Sequence, residues 1–157
     1  MAPIPASIET LVSHALPRRV VLDTNVLVSL YIFADSRFAP LRARIESGEW
    51  QAITNGACFG EFRRVLGYAM FALTETQQAG ALNAYGASVM HADQMRQPLA
   101  SLPRCKDRDD QKFLELARDG AADWLVTADK ALLRLARRDR LRGLFRILTP
   151  DAALTEL

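Results

Sequence analysis

Cysteine and histidine are scarce in this chain of 157 residues, which holds two of each. Cys58 and Cys105 stand far apart, and two thiols supply neither a disulfide framework nor the ligand set of a structural zinc site. They read as reduced, small buried hydrophobes. His14 and His91 lie outside every acidic motif and read as surface or structural residues. No glycine-rich turn follows RVVLD at 19–23, which removes a dinucleotide-binding fold. The longest apolar run, around 26–34, is too short to span a bilayer. The opening MAPIPASIETLVSHALP lacks a basic stretch followed by an apolar core, so a cytoplasmic protein without membrane association is expected. Net charge is only +2, which sets aside a wholly basic nucleic-acid binder and leaves any basic surface local.

What is present suits one globular domain: 50% of the residues are hydrophobic and 24% charged, and the length suffices for a real core. No repeat, low-complexity tract or linker divides the chain. The expected organisation is an N-terminal arm over residues 1–17, with three prolines, and a domain over 18–157. RRVVLD (18–23) predicts a buried strand, and WQAIT (50–54), WLVT (124–127) and LFRIL (144–148) predict three more. Helical apolar spacing marks 25–34, 36–48, 58–71, 74–90, QKFLELARDG and DKALLRLARRD, and Pro150 opens a final turn or helix. Strands alternating with helices predict an α/β protein, three-layer α/β/α with a mainly parallel central sheet. In such sheets the functional crevice lies beyond the carboxyl ends of the strands.

Asp23 ends the apolar run VVL at one such place. A buried carboxylate is costly unless it is paired or coordinates a metal, so Asp23 either caps the following helix or belongs to a site. Asp129, in LVTADK, follows a second strand. Glu61 in CFGEFRRVL, and Asp107, Asp109 and Asp110 in CKDRDDQKF, add acids at helix starts. Each alone is open to a plain capping or helix-dipole reading; together they make a site only if the sheet gathers them. Converging carboxylates repel unless a cation sits among them. Oxygen-only ligands select Mg²⁺ or Mn²⁺ over zinc. One such ion can activate a water, and a second can steady a leaving oxygen. Metal-assisted phosphodiester hydrolysis is the expected chemistry.

VVLDTNVLVS, GEFRRVL, CKDRDDQKFLELA and ADWLVTADKALL, in that order, resemble a PIN domain over roughly residues 18–150. Within that family the chain resembles the branch described as toxin components of type II toxin–antitoxin systems. The resemblance implies a parallel sheet flanked by helices and a Mg²⁺- or Mn²⁺-dependent endoribonuclease. By motif, the catalytic and metal-binding acids would be Asp23, Glu61, Asp110 and Asp129. Asp107 is second choice to Asp110, and spacing does not separate these two from Asp109. Asn25 would orient Asp23, and Thr127 would bond a metal ligand or its water. Thr24 belongs to the same set, but simple turn chemistry is its preferred reading. The implied substrate is RNA and the implied protein partner an antitoxin. A homodimer is implied as well, with VLVSLYIF and the helix at 74–90 as its surface. A housekeeping RNA-processing nuclease and a non-catalytic nucleic-acid or partner-binding module are the alternatives.

Arg63 and Arg64 follow Glu61, and Lys130 follows Asp129, so all three are placed for a substrate phosphate. Arg134, Arg137, Arg138, Arg140, Arg142 and Arg146 crowd the C-terminal region, either tracking a nucleic-acid backbone or forming a solvated helix face paired with Asp139, the preferred reading. Trp50 and Trp124 read as packing. A haloacid-dehalogenase-type phosphatase is disfavoured, because its general acid would stand where Asn25 stands. A receiver-type phosphoacceptor domain would need its acid pair before the phosphoacceptor strand, whereas the acid-rich loop here follows Glu61.

Overall fold

Val20, Val21 and Leu22 are sealed from solvent, at 0%, 0% and 2% exposure, because their strand is central in a parallel sheet covered on both faces. A computed structural model describes residues 16–92, 102–104, 108–138, 141 and 143–156. The arm as far as residue 15, and with it His14, lies outside the described residues, as do Cys105, Asp107, Asp139, Arg140 and Arg142. Five strands form one sheet: β1 (Arg18–Leu22), β2 (Trp50–Thr54), β3 (Val89–His91), β4 (Trp124–Val126) and β5 (Arg146–Leu148). Their order is β3-β2-β1-β4-β5 and every pairing is parallel. Seven α-helices surround it among the described residues: α1 (Thr24–Tyr31), α2 (Ala39–Glu46), α3 (Gly56–Leu66), α4 (Glu75–Gly86), α5 (Arg108–Asp119), α6 (Lys130–Leu133) and α7 (Pro150–Thr155).

The two-residue period of a strand deals its side chains to opposite faces. Val20, Leu22, Ala52, Trp124, Val126 and Leu148 join one core with side chains of α1, α2, α3, α4 and α7. Val21, Ile53, Leu125 and Ile147 join the other with α5 and α6, and Cys58 reaches it from α3. The fold is therefore three-layer α/β/α, as expected. Each fully buried aliphatic side chain contributes about 1.5–3 kcal/mol. Trp50 and Trp124 pack edge to face, with ring centroids 5.3 Å apart, as packing residues.

Helix α1 illustrates burial overriding propensity. Val26 and Val28 are β-branched and poor helix formers, yet Val26, Leu27, Val28 and Leu30 are at most 4% exposed in the first core. This corrects the expectation that VLVSLYIF offers a dimer surface: the core consumes most of it, and Phe33, at 65%, is its exposed aromatic.

Several boundaries also differ from expectation. Residues 36–48 divide into a 3-10 turn at Ser36–Phe38 and α2. The helix expected to reach residue 71 ends at Leu66, and a 3-10 turn follows at Ala69–Phe71. α4 opens with a capping box between Thr74 and Gln77 and stops at Gly86. The last residues of 74–90 run into β3, a three-residue edge strand too short to show alternation. DKALLRLARRD becomes α6 followed by a 3-10 turn at Arg134–Arg137.

Strand order decides where the working crevice lies. The chain moves from β1 outward to β2 and β3, then returns past β1 to β4 and β5. It thus leaves the neighbours β1 and β4 in opposite directions, and the crevice at their carboxyl ends is the topological switch point. Asp23 follows β1 there and Thr127 follows β4. Among the described residues no helix is long and apolar enough to cross a membrane.

Candidate active site

Asp23 is 3% exposed and occupies the N-cap position of α1, yet its side chain makes no capping bond. Its Oδ2 instead accepts a hydrogen bond from Thr127 Oγ1 at 2.7 Å, and its amide donates to the Val126 carbonyl at 3.0 Å. Strand β4 thus fixes the acid that strand β1 delivers. Thr127, fully buried, also accepts from the Asp129 amide at 2.9 Å. One hydroxyl ties the two strand-end acids together. Asp129 itself caps α6, its Oδ1 accepting from the Ala131 amide at 2.7 Å. A geometric capping bond is therefore made by one oxygen of Asp129, whereas the Asp23 carboxylate is held by Thr127, with the Asn25 backbone amide of the first helical turn also acting on it.

Glu61 comes from α3, held against the first core by Phe62 and Leu66. Its Oε2 accepts the hydroxyl of Thr24, which corrects the turn-chemistry reading of Thr24. Its Oε1 accepts from Lys112 Nζ at 2.7 Å, with the two side chains 13% and 19% exposed. Arg64 Nη2 stands 3.8 Å from the same oxygen, on a side chain 62% exposed. Helix α5, which packs on β1, β4 and α3, brings Lys112 there. Sequence reading missed Lys112, which lies between the acids of the DRDD stretch and the buried Phe113 and carries no local signal of its contact with Glu61.

These acids share one electrostatic field. Burial raises the Asp23 carboxyl above its ordinary value, and the Thr127 hydrogen bond opposes that rise. The charges of Asp129 and Glu61 push it further up, and the Asn25 amide pulls it down. Asn25 acts on Asp23 through its backbone; its side chain is exposed. Asp110 is half-buried in the first turn of α5, which starts at Arg108 rather than at Asp110, and Asp109 beside it is exposed. Arg63 and Lys130 are exposed, and Arg63 lies over the Phe59 ring at 5.8 Å. Cys58 is an unreactive buried thiol, pushed up to about 12 by burial against the opposing charge of Lys112.

Other candidates stand elsewhere. Arg137, Arg138 and Arg146 line an open cavity of about 650 Å³ with Arg18, at the amino ends of β1, β4 and β5. That is the end of the parallel sheet opposite Asp23. His91 packs its ring on Phe59 at the edge strand, with centroids 5.3 Å apart.

The donor set is all oxygen, and a buried Asp23 with its charge disfavoured suits a hard divalent cation. Among the described residues no three acid, histidine or cysteine side chains are grouped closely enough to hold a metal ion between them. Mg²⁺ is commonly bound by one or two carboxylates, with waters and substrate phosphates completing its shell. Asp23, with Glu61 or Asp129 as a second carboxylate, fits that open mode by its chemistry.

Thr127 gives a direct test of this framework. Thr127→Val removes the hydroxyl that joins Asp23 to the Asp129 amide. We expect a stability loss of about 1–3 kcal/mol from the unsatisfied buried groups, and roughly a 10- to 100-fold fall in activity from misorientation. Thr127→Ser should recover most of both. Urea midpoints and initial rates on the three proteins check it.

A family model described as PIN domain matches residues 19–131, from the second residue of β1 into α6. Comparison with curated proteins returns no match. The matched span carries β1 to β4 and each acid discussed above, and on that match the chain belongs to the PIN-domain family, whose fold is a nuclease fold.

Proposed function

We propose that this PIN domain is a Mg²⁺- or Mn²⁺-dependent endoribonuclease acting at the crevice between β1 and β4. The observation that carries the reading is Asp23: a buried carboxylate at the switch point, held by Thr127 instead of capping its helix, and within the field of Glu61 and Asp129. Structural economy alone would not place it there, because an uncompensated buried charge is costly.

Asp23, Glu61 and Asp129 would hold the cation, with Asp110 or Asp107 as a further ligand. A bound divalent ion would supply an acidified water and polarise the scissile phosphate. The protein's own part is orientation. Thr127 fixes Asp23, Thr24 fixes Glu61, and the α6 capping bond fixes Asp129. The exposed cations Arg63, Arg64 and Lys130 would meet flanking phosphates, which carry most of the sequence-independent affinity for a nucleic acid. The toxin role, with an antitoxin as partner, is a further step that rests on the chain's overall resemblance to that branch, and a housekeeping RNA-processing nuclease fits the same residues. A homodimer and a cytoplasmic site of action belong to the same proposal.

Cleavage of end-labelled single-stranded RNA in Mg²⁺, in Mn²⁺ and in EDTA tests the activity. Internal cuts with either metal and none in EDTA are expected. Cutting that persists in EDTA would contradict the metal mechanism, and no cutting under any condition would favour the non-catalytic binding module.

A further inference from the structure

Glu61 meets a cation already. Lys112 Nζ lies 2.7 Å from Oε1, the side chains are 13% and 19% exposed, and Thr24 takes the other oxygen. This is unlike the surface pairs of the molecule, such as Arg37–Asp35, where the arginine side chain is 73% exposed and water screens the charge. Helix α5 fixes the Lys112 backbone, because Phe113 beside it is buried in the second core and the Lys112 carbonyl faces Cys58 Sγ at 3.8 Å. The ammonium is thus presented from a fixed backbone to an acid of the candidate site.

We infer that Lys112 is the resident cation of the acid site and competes with the divalent ion for Glu61, so that its charge sets how much metal the protein needs. The inference rests on the metal-dependent reading above. Its physical basis is plain: a divalent ion reaching Glu61 meets an ammonium that is already there and only partly screened. Either the ammonium swings off Oε1, losing a charge-assisted hydrogen bond, or the two cations share one carboxylate and repel. In both cases metal uptake is weakened relative to the same acids without Lys112. The benefit to the metal-free protein is that Glu61, whose charge bears on the buried Asp23, has a counter-charge at hand. Lys112 is thus a positioning residue for Glu61 and a brake on metal uptake.

A merely structural lysine predicts the opposite sign, since removing the group that orients Glu61 should loosen the metal. Lys112→Gln separates the two, because the amide keeps a hydrogen-bond donor for Glu61 and removes the charge. Lys112→Arg keeps the charge, and Arg64→Gln removes the more distant and exposed cation at 3.8 Å. Mn²⁺ is titrated calorimetrically into each purified protein after EDTA treatment and dialysis, at low salt and at 0.5 M salt. Lys112→Gln should bind Mn²⁺ about tenfold more tightly than wild type at low salt, with a smaller gain at high salt. Lys112→Arg should match wild type, and Arg64→Gln should change affinity less than twofold. Unchanged or weaker binding by Lys112→Gln beside a wild type that does bind overturns this inference and leaves the metal reading intact. Absence of Mn²⁺ binding from every protein overturns the metal reading itself, and this inference with it. Should Lys112→Gln fail to fold, Lys112→Met is titrated under the same criterion, with circular dichroism of both variants establishing the fold.

Discussion

Asp23→Asn is expected to abolish cleavage and leave the fold standing. The amide is nearly isosteric with the carboxylate and can still accept the Thr127 hydroxyl through its oxygen, so the 2.7 Å contact survives. What disappears is the anionic ligand at the head of β1. A metal's stabilisation of charge in the transition state amounts to several kcal/mol, and each 1.36 kcal/mol is tenfold in rate. A loss of at least about a thousandfold is therefore expected. Stability should move the other way. Because burial raises the folded-state pKa of Asp23, the folded protein keeps a proton over a pH window where the unfolded chain has released it. Metal-free stability then falls as pH rises through that window, and the charged side chain is a burden at neutral pH. In EDTA at pH 7 the Asn variant should have a higher urea midpoint than wild type, the gap closing as pH is lowered. An active Asn variant, or one less stable than wild type in EDTA, would mean that Asp23 is structural.

Glu61→Gln is the second large effect. The carboxylate accepts from Thr24 on one oxygen and from Lys112 on the other. A glutamine can present an oxygen to only one of them, and its NH₂ group cannot accept from an ammonium. The amide must therefore turn its oxygen to Lys112 and offer its NH₂ to Thr24, whose hydroxyl then reverses from donor to acceptor. The hydrogen bonds survive in rearranged form, but the metal ligand does not. Activity should fall about a hundred- to a thousandfold, the scale of losing one electrostatic stabiliser. The urea midpoint should fall by about 1 kcal/mol in stability, because a charge-assisted bond becomes a neutral one. Steady-state rates at saturating and limiting Mn²⁺ separate the ligand role from a substrate role: added metal should recover part of the activity if Glu61 holds the ion. No metal dependence of the defect would place Glu61 outside the cation site.

Most of the architecture was legible because buried parallel strands write themselves as unbroken apolar runs. VVL and WLV need no long-range information, and their carboxyl ends locate the crevice. β3 was not legible, since three residues at a sheet edge carry no period and follow directly on a helix. The VLVSLYIF segment was legible as helix but not as core, because an apolar run looks the same whether it faces its own sheet or a second molecule. For the site, the sequence could set Asp23 and Asp129 at strand ends, but not show that only Asp129 caps its helix. That distinction is made by Thr127, which reaches across two strands. The roles of Thr24 and Lys112 depend on contacts spanning 37 and 51 residues, and no local pattern encodes such a pair.

The most direct test of the central claim is anomalous diffraction at the manganese edge from crystals of the wild-type protein grown with Mn²⁺. An anomalous peak at metal–oxygen bonding distance from the Asp23 carboxylate, with Glu61 or Asp129 completing the protein ligands, is the predicted result. A peak confined to other acids, or none at a Mn²⁺ concentration that supports cleavage, would contradict the assignment of the crevice between β1 and β4 as the metal-dependent site.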